Sequence, residues 1–530
     1  MQTADYIIVG AGAAGCVLAN RLCADPNRSV LLVESGGPDS SPLIHMPRGF
    51  GKTLLDPDLI WVYPTERKQG GKQEMWVRGK TLGGSTSVNG MMYVRGLPGD
   101  YDEWEAQGCT GWGSKEMAAS FRTIEDHELG PGEWRGTGGP LKVSCYPQRH
   151  PLCEAVIEGA TQLGKQRKLD VHERPGENFG YNQRTIAGGR RQRAATAFLK
   201  PVLHRRNLQV ATRTNVQRLI FDGERAVGVQ VRDASGSREI RAAREVLLCA
   251  GAINTPKLLL VSGIGPADVL ARAGVEPRLD VPGIGRDLHE HLLLTLHFRV
   301  THGSENRSFR APGVALTALR YFLTRSGPFA QAAMDVCGYI NTRPDVDRPD
   351  AQVMMTTVSL DLTKDGFARI DSKPGFMIGT YPLRPRSRGR LEITSPDPAA
   401  PLYIEPNYLS DAEDRRVAVE CARFVRRLAQ TPALQAFGAT ELFPGPQVNS
   451  DEQIVDAYLQ YGNSGYHTVG TCRMGSDPRS VVDVRCRVRG IRNLRVIDAS
   501  IIPAMVSANT AGPVMAMASR AAQFVLEERE

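Results

Sequence analysis

Three glycines spaced Gly10-x-Gly12-x-x-Gly15 stand between a β-branched and aromatic run, Tyr6 to Val9, and a segment, Cys16 to Cys23, that puts Val17, Leu18 and Leu22 on one side of a helix. The first glycine permits a tight turn, the second lets backbone approach a pyrophosphate, and the third lets helix and strand pack closely. The N–H groups left free at the helix start attract phosphate. A second apolar run, Ser29 to Val33, ends in Glu34, a carboxylate placed to accept from ribose hydroxyls and to disfavour a 2′-phosphate. A glycine-rich turn with no ligand is the plain alternative. The strand–turn–helix context and the acidic residue favour a dinucleotide site, but this motif does not separate NAD from FAD.

Two longer stretches make that separation. Gly79-Lys80-Thr81-Leu82-Gly83-Gly84-Ser85-Thr86-Ser87-Val88-Asn89-Gly90-Met91-Met92-Tyr93-Val94-Arg95-Gly96 resembles the first signature of the glucose–methanol–choline (GMC) flavoproteins, and Gly251-Ala252-Ile253-Asn254-Thr255-Pro256-Lys257-Leu258-Leu259-Leu260-Val261-Ser262-Gly263-Ile264-Gly265 resembles the second. Further blocks similar to the family run from Asp100 to Trp104, Gly283 to Leu288, His467 to Gly475 and Val496 to Ser500, in family order and weakest between Thr301 and Arg388. The resemblance implies FAD. In residue terms, Gly83 and Gly84 allow a turn against a flat ring, and Ser85, Thr86, Ser87 and Asn89 are short polar groups able to bond a pyrophosphate and the flavin's polar edge, with Gly90 and Met91 following. Val216 matches the family position whose main chain holds adenine, and Ala250 closes the apolar run Val246 to Gly251 that reads as a buried parallel strand facing the cofactor. Asp498, with Ala499, matches the place near the ribityl and pyrophosphate linkage. Val88 occupies the slot that carries histidine in covalently flavinylated members, so the resemblance implies non-covalent FAD.

The family match also gives the chemistry a candidate base. Hydride leaves an alcohol carbon readily only when the hydroxyl proton is removed or shared, which calls for a group with a pKa near neutrality, and histidine suits it. Of ten histidines, His467 follows the small, polar approach Gly462-Asn463-Ser464-Gly465-Tyr466 and matches the GMC catalytic histidine. On residue type alone it reads more readily as a satisfied structural histidine than as a catalytic one. Asn509 matches the second polar residue of the catalytic pair, placing Tyr466, His467 and Asn509 against substrate. Asn509-Thr510-Ala511-Gly512-Pro513 leads into a helix-period run, Val514 to Glu527, with Pro513 suited to the first turn. An N-terminus pointing at the flavin's pyrimidine side stabilises the anionic reduced ring. Choline-oxidising relatives place a glutamate where Leu293 stands, so an uncharged aliphatic or aromatic primary alcohol is the expected substrate. The expected reaction is oxidation to the aldehyde by hydride transfer to flavin N5, with electrons passed to an acceptor other than NAD: a quinone, a dye-like molecule or a protein. An oxygen-using alcohol oxidase and a flavin-containing hydroxynitrile lyase share these motifs.

Such dispersed segments require a discontinuous architecture. The expected fold is α/β with an α+β cap: a Rossmann-type FAD-binding domain from residues 1–160, 195–300 and 460–530, and an antiparallel-sheet substrate-binding domain from 161–194 and 301–459. Leu208 to Val210 and Val216 to Phe221 read as paired strands, and Val353 to Leu360, Phe376 to Tyr381 and Gly389 to Thr394 as antiparallel strands of the cap. Met334, Met354, Met355, Phe367, Phe376 and Met377 either line a pocket or pack beneath that sheet.

The 530 residues, 41% apolar, suffice for a large core. Ten scattered cysteines without a C-x-x-C pair fit reduced thiols in a cytoplasm, no metal centre is expected, and no apolar run approaches the roughly 18–20 residues of a membrane span. The N-terminus enters a strand too soon for a signal peptide. A net charge of +8 and an isoelectric point near 9.0 invite a nucleic-acid reading. The basic clusters Arg184 to Arg193 and Arg384 to Arg390 lack interleaved aromatics, which argues against it and leaves phosphate or an anionic substrate as a use for those arginines. The sequence does not indicate an oligomeric state.

Overall fold

The N-terminal apolar run becomes the strand Thr3–Val9, hydrogen-bonded in parallel to Val30–Val33 on one side and Gly236–Leu248 on the other. Where they lie side by side, Ile7 to Val9, Val30–Val33 and Val246 to Leu248 are continuous apolar runs, as parallel strands covered on both faces require, whereas the first half of Gly236–Leu248 is polar and largely exposed. In the computed structural model, which describes residues 3–66, 73–173, 176–362 and 368–528, they form the middle of a seven-stranded sheet. Leu208–Ala211 adds in parallel beyond Val30–Val33, and Leu494–Val496 pairs in parallel with Gly236–Leu248. The Gly10–Gly15 turn connects the first strand to the helix Ala13–Leu22. A Cβ on Gly15 would lie 1.8 Å from the Gly10 carbonyl oxygen, so only glycine lets this helix sit so close to the turn. Space around Gly12, by contrast, is open.

Two strand expectations need correction. Leu208–Ala211 and Asn215–Asp222 do not pair with each other: the first lies beside Val30–Val33, while the second runs antiparallel to Arg225–Asp233 at the far side of the same sheet. Local apolar alternation was compatible with a hairpin, but Leu208 and Val210 have a better partner in the buried edge of Val30–Val33. Arg390–Ile393 pairs only with Leu402–Glu405, in a separate two-stranded sheet.

The second large sheet has eight strands, with Leu292–Arg299, Gly375–Pro382, Ala351–Thr356 and Val336–Ile340 antiparallel at its centre. A separate core backs it, in which Phe298, Phe376, Met355 and Ile378 meet Val417, Phe424 and Val425 of the long helix Ala412–Ala429 and Val156 of the helix Pro151–Gln162. Met355 and Phe376 therefore pack in the core, whereas Met334 and Met354 reach the wall of a large cavity; Met377 is buried, and Phe367 lies outside the described residues. Among the described residues no helix is long and apolar enough to cross a membrane.

Candidate active site

A cavity of about 830 Å³ runs along the carboxyl ends of the parallel strands, where open α/β sheets hold ligands. Three helix starts open onto it: Gly12 and Ala13, Gly251 and Ala252, and Thr510 and Ala511. Each presents the positive end of a helix dipole and first-turn N–H groups that have no partner within the helix, so together they suit a long ligand with several anionic or electron-rich groups. The sequence-derived residues Gly10, Gly12, Glu34, Gly84, Ser85, Thr86, Asn89, Gly90, Met91, Val216, Ala250, Asp498, Ala499, Asn509 and Thr510 all lie on the wall of this one cavity. Gly15 and Gly83 stand behind it. Gly83 has a φ of +90°, and a Cβ on Gly84 would lie 2.8 Å from the Gly12 Cα, so the two glycine loops touch because neither has a side chain.

The polar groups of this wall are held firmly. Glu34 accepts from the Ala11 amide at 2.9 Å and from the Gly36 amide at 2.8 Å, and burial pushes its carboxyl above the usual range. Asp498 accepts from the amides of Gly251 and Ser500 at 2.8 Å and from the hydroxyl of Thr255 at 2.5 Å, tying the start of the helix Gly251–Val261 to the Ala499–Ile501 turn. Ser87 is turned inward to the Leu82 carbonyl. Asn89 Oδ1 accepts from Arg191 at 2.8 Å, and Arg191 also donates to the carbonyls of Asn89, Thr86 and Ile44. Arg191 therefore braces the loop from behind. Arg193 pairs with Asp39, and Arg184 bonds the Cys145 carbonyl, so these buried arginines of the basic cluster serve the fold and none of them lines the cavity, contrary to a phosphate or substrate role.

At the other end of the cavity stands His467. Its loop is stitched to the residues that precede the strand Leu292–Arg299: Ser464 pairs with Leu292, the Gly465 amide donates to the His291 carbonyl at 2.7 Å, and Val469 bridges His289. A Cβ on Gly465 would lie 2.9 Å from His467 Nδ1, so glycine here makes room for the imidazole. Glu290 fixes the main chain, accepting from the His467 amide at 2.7 Å and the Thr468 hydroxyl at 2.6 Å. Arg78 lies 3.5 Å from that carboxylate and offsets part of its buried charge.

The imidazole itself is held at both nitrogens. His291 Nε2 lies 2.7 Å from the Leu383 carbonyl, which only accepts, so His291 carries its proton there. Burial holds the pKa of His291 down at about 4, leaving the ring neutral with a lone pair on Nδ1. His467 Nδ1, 2.9 Å from that lone pair, must be the donor. The tautomer follows: His467 presents an unprotonated Nε2 to the cavity, where Asn509 Nδ2 donates to it at 2.9 Å. Burial, then His291 and Arg78, hold the His467 pKa well below its ordinary value. Asn509 Oδ1 is buried without a hydrogen-bond partner among the described residues, an acceptor aimed at nothing in the chain. The wall nearby is apolar, made of Leu293, Met92, Ala333, Met334 and Met354, with Tyr381 stacked on His291 at 4.5 Å; Tyr466, half exposed, closes it beside Arg78.

Motif reading missed His291, Glu290, Arg78 and Tyr381. His291 and Glu290 lie in the block around Leu293, and a second histidine at the end of Asp287-Leu288-His289-Glu290-His291 was the available signal.

GMC oxidoreductase family models match residues 4–293 and 385–518. The chain belongs to the GMC oxidoreductase family. This GMC enzyme is 36% identical to "Alcohol dehydrogenase [acceptor]" of Pseudomonas putida, covering 99% of this chain and 96% of that one, and 38% identical to the mitochondrial choline dehydrogenase of Homo sapiens, covering 98% and 89%. It is similar in structure to pyridoxine 4-oxidase from Mesorbium loti, with a TM-score of 0.89, 31% identity and coverage of 99% of this chain and all of that one. The expected GMC fold, an α/β dinucleotide layer beside a second sheet, is the fold it has.

Proposed function

We propose that this GMC oxidoreductase oxidises an uncharged aliphatic or aromatic primary alcohol to the aldehyde, with FAD held non-covalently, His467 as base and an acceptor other than NAD taking the electrons. The observation that carries this reading is the unprotonated Nε2 of His467 on the cavity wall, fixed in that form by the hydrogen bonds running back to the Leu383 carbonyl.

The residues present fit FAD. Open space at Gly12, three helix starts and the long cavity suit its pyrophosphate and ring system, Glu34 its ribose, and Val216 its adenine. Val88, also on the wall, offers no nucleophile for a covalent bond. Bound FAD would supply the hydride acceptor. The protein's part is the proton: the alcohol hydroxyl enters between His467 Nε2 and Asn509, His467 takes the proton, and the resulting positive charge is shared through Nδ1–H with His291. The unpartnered Asn509 Oδ1 gives a second point of hold for substrate. A group tuned to stay neutral in its buried site is a base ready at physiological pH.

The wall chemistry supports the substrate class. The carboxylates on the cavity wall are Glu34 and Asp498, both bonded to the protein at the cofactor end. Leu293, Met334 and Met354 near His467 suit an apolar carbon chain or ring and offer a quaternary ammonium no counter-ion. We keep the cofactor unit as 1–160, 195–300 and 460–530 and the cap as 161–194 and 301–459, with Pro151–Gln162 and Leu292–Arg299 packing on the cap side at its edges. A panel of alcohols mixed with the yellow protein under nitrogen tests the reading. Bleaching by benzylic or medium-chain alcohols, followed by reoxidation with a quinone, a dye or oxygen, is expected; no bleaching by any primary alcohol would contradict it.

A further inference from the structure

The helix Gly313–Thr324 is built the wrong way round for a surface helix. Thr317 and Tyr321 face the protein, Tyr321 donating to the Gly189 carbonyl at 3.1 Å. The opposite face is apolar: Leu316 is 68% exposed, Leu319 56%, Phe322 57% and Leu323 74%. At helical spacing these four share the solvent side, where charged residues normally stand. Met46 of the segment Pro42 to Leu55 packs against Tyr321, and Leu43 and Leu55 of that segment are also exposed.

The rim of this face is basic. From Asn306 to Met334 the chain has four arginines, Arg307, Arg310, Arg320 and Arg325, and no aspartate, glutamate or lysine. Arg307, Arg310 and Arg320 are exposed, as is Arg190 beside the end of the helix. Of the acids that flank it in the chain, Glu305 is engaged with the Thr357 hydroxyl and Asp371 with Arg299, while Asp56 and Asp58 follow Leu55 on the segment after Met46. An apolar face with a cationic margin matches an anionic lipid surface. A second copy of the chain fits less well, because a two-fold contact through this face would set arginines against arginines. At 1.5 Å per residue the helix is about 18 Å long, too short to span a bilayer and suited to lie in its surface.

We infer that Gly313–Thr324 is an interfacial helix that docks the protein on an anionic membrane surface. The position has a consequence for access. Phe50 and Leu54, on the segment that carries Met46, line the cavity, so docking brings the cavity wall close to the lipid, where an apolar alcohol or a lipid-soluble acceptor is concentrated.

The test is flotation of the full-length, FAD-loaded protein with phosphatidylethanolamine–phosphatidylglycerol vesicles and, separately, with phosphatidylcholine vesicles. Binding to the anionic vesicles is expected, weakened by salt and by neutral lipid. Leu319→Glu/Leu323→Glu should lower the vesicle partition at least about tenfold while leaving melting temperature and flavin content unchanged, since these side chains point away from the core. Leu319→Gln/Leu323→Gln should give a loss in the same direction if the charged variant is poorly soluble. Parent protein that stays in solution, or a variant that floats as well as the parent, would overturn the inference. So would a parent dimer that Leu319→Glu/Leu323→Glu dissociates, which would make the face a contact between copies.

Discussion

His291 and His467 meet edge to face with their Nδ1 atoms 2.9 Å apart, and because His291 spends its only proton on the Leu383 carbonyl, His467 has to donate across the contact. Two neutral imidazoles in this order leave the lone pair of His467 Nε2 facing the cavity, where Asn509 Nδ2 donates to it. In the proposed reaction His291 is therefore a positioning residue: its contact sets which nitrogen of His467 is left to act as base.

Replacing His291 tests that relay. His291→Phe keeps a ring against Tyr381 but removes the acceptor for His467 Nδ1–H, so His467 loses its reason to hold one tautomer. Flavin reduction by alcohol should slow by about 10 to 100-fold with a much smaller change in KM. Nitrogen NMR of labelled histidine should show the Nδ1–H tautomer of His467 in the parent and a mixture in the variant. A purely structural role for His291 would leave the tautomer unchanged.

The depressed histidines fix the direction of two pH effects. The proposed base acts in its neutral form, and the pKa of His467 is held well below the ordinary 6.5 by burial, so the rate of flavin reduction should stay flat as pH falls through 6.5 and decline only in more acid solution. An acid limb centred near 6.5 would contradict a buried base. Stability should behave differently. His172, His289, His291 and His467 all have lowered pKa values, so the unfolded chain binds protons first. Melting temperature should therefore be level above pH 6.5 and fall from there toward about 4, where His172 and His291 themselves titrate.

Flavin attachment is read directly by precipitation with acid. Val88 leaves no histidine in the covalent slot, so the supernatant should be yellow and contain intact FAD. Colour remaining in the protein pellet would show a covalent bond and refute the non-covalent reading.

Substrate charge is tested at Leu293, which sits on the cavity wall and whose Cδ1 would lie 2.9 Å from a Cβ on Gly379. Choline should bleach the flavin more slowly than benzylic and medium-chain alcohols. Leu293→Glu should shift the ratio of kcat/KM for choline over benzyl alcohol upward by about tenfold or more, the value of a charge pair worth about 1.4 kcal/mol. Faster reduction of the parent by choline would refute the argument.

The parts of this site that depend on glycine geometry were legible in the sequence. Gly10, Gly15 and Gly84 stand where a side chain would strike neighbouring backbone, a steric limit that leaves only glycine, and such limits survive as spacing. The wall residues from Glu34 to Thr510 converge because long motifs carried them together. What could not be read was pairing at long range. Leu208–Ala211 joined a distant edge strand, and His291 meets His467 across 176 positions through a sheet contact that no local periodicity encodes. The Arg184 to Arg193 cluster misled for a related reason: charge counts say nothing of direction, and Arg184, Arg191 and Arg193 point inward.

The most direct test of the account is anaerobic stopped-flow reduction of His467→Ala by a good alcohol substrate. The proposed FAD site is built by the glycine turn, the Gly83 to Asn89 loop and the helix starts and not by His467, so the variant should fold and keep its FAD. Its flavin should be reduced about 10² to 10⁴ times more slowly than in the parent, the range for a lost general base. Asn509→Ala should cost less, since it removes a hydrogen-bond partner of Nε2 and leaves the proton acceptor in place. A His467→Ala enzyme that reduces its flavin within a few-fold of the parent rate would contradict the assignment of His467 as the base.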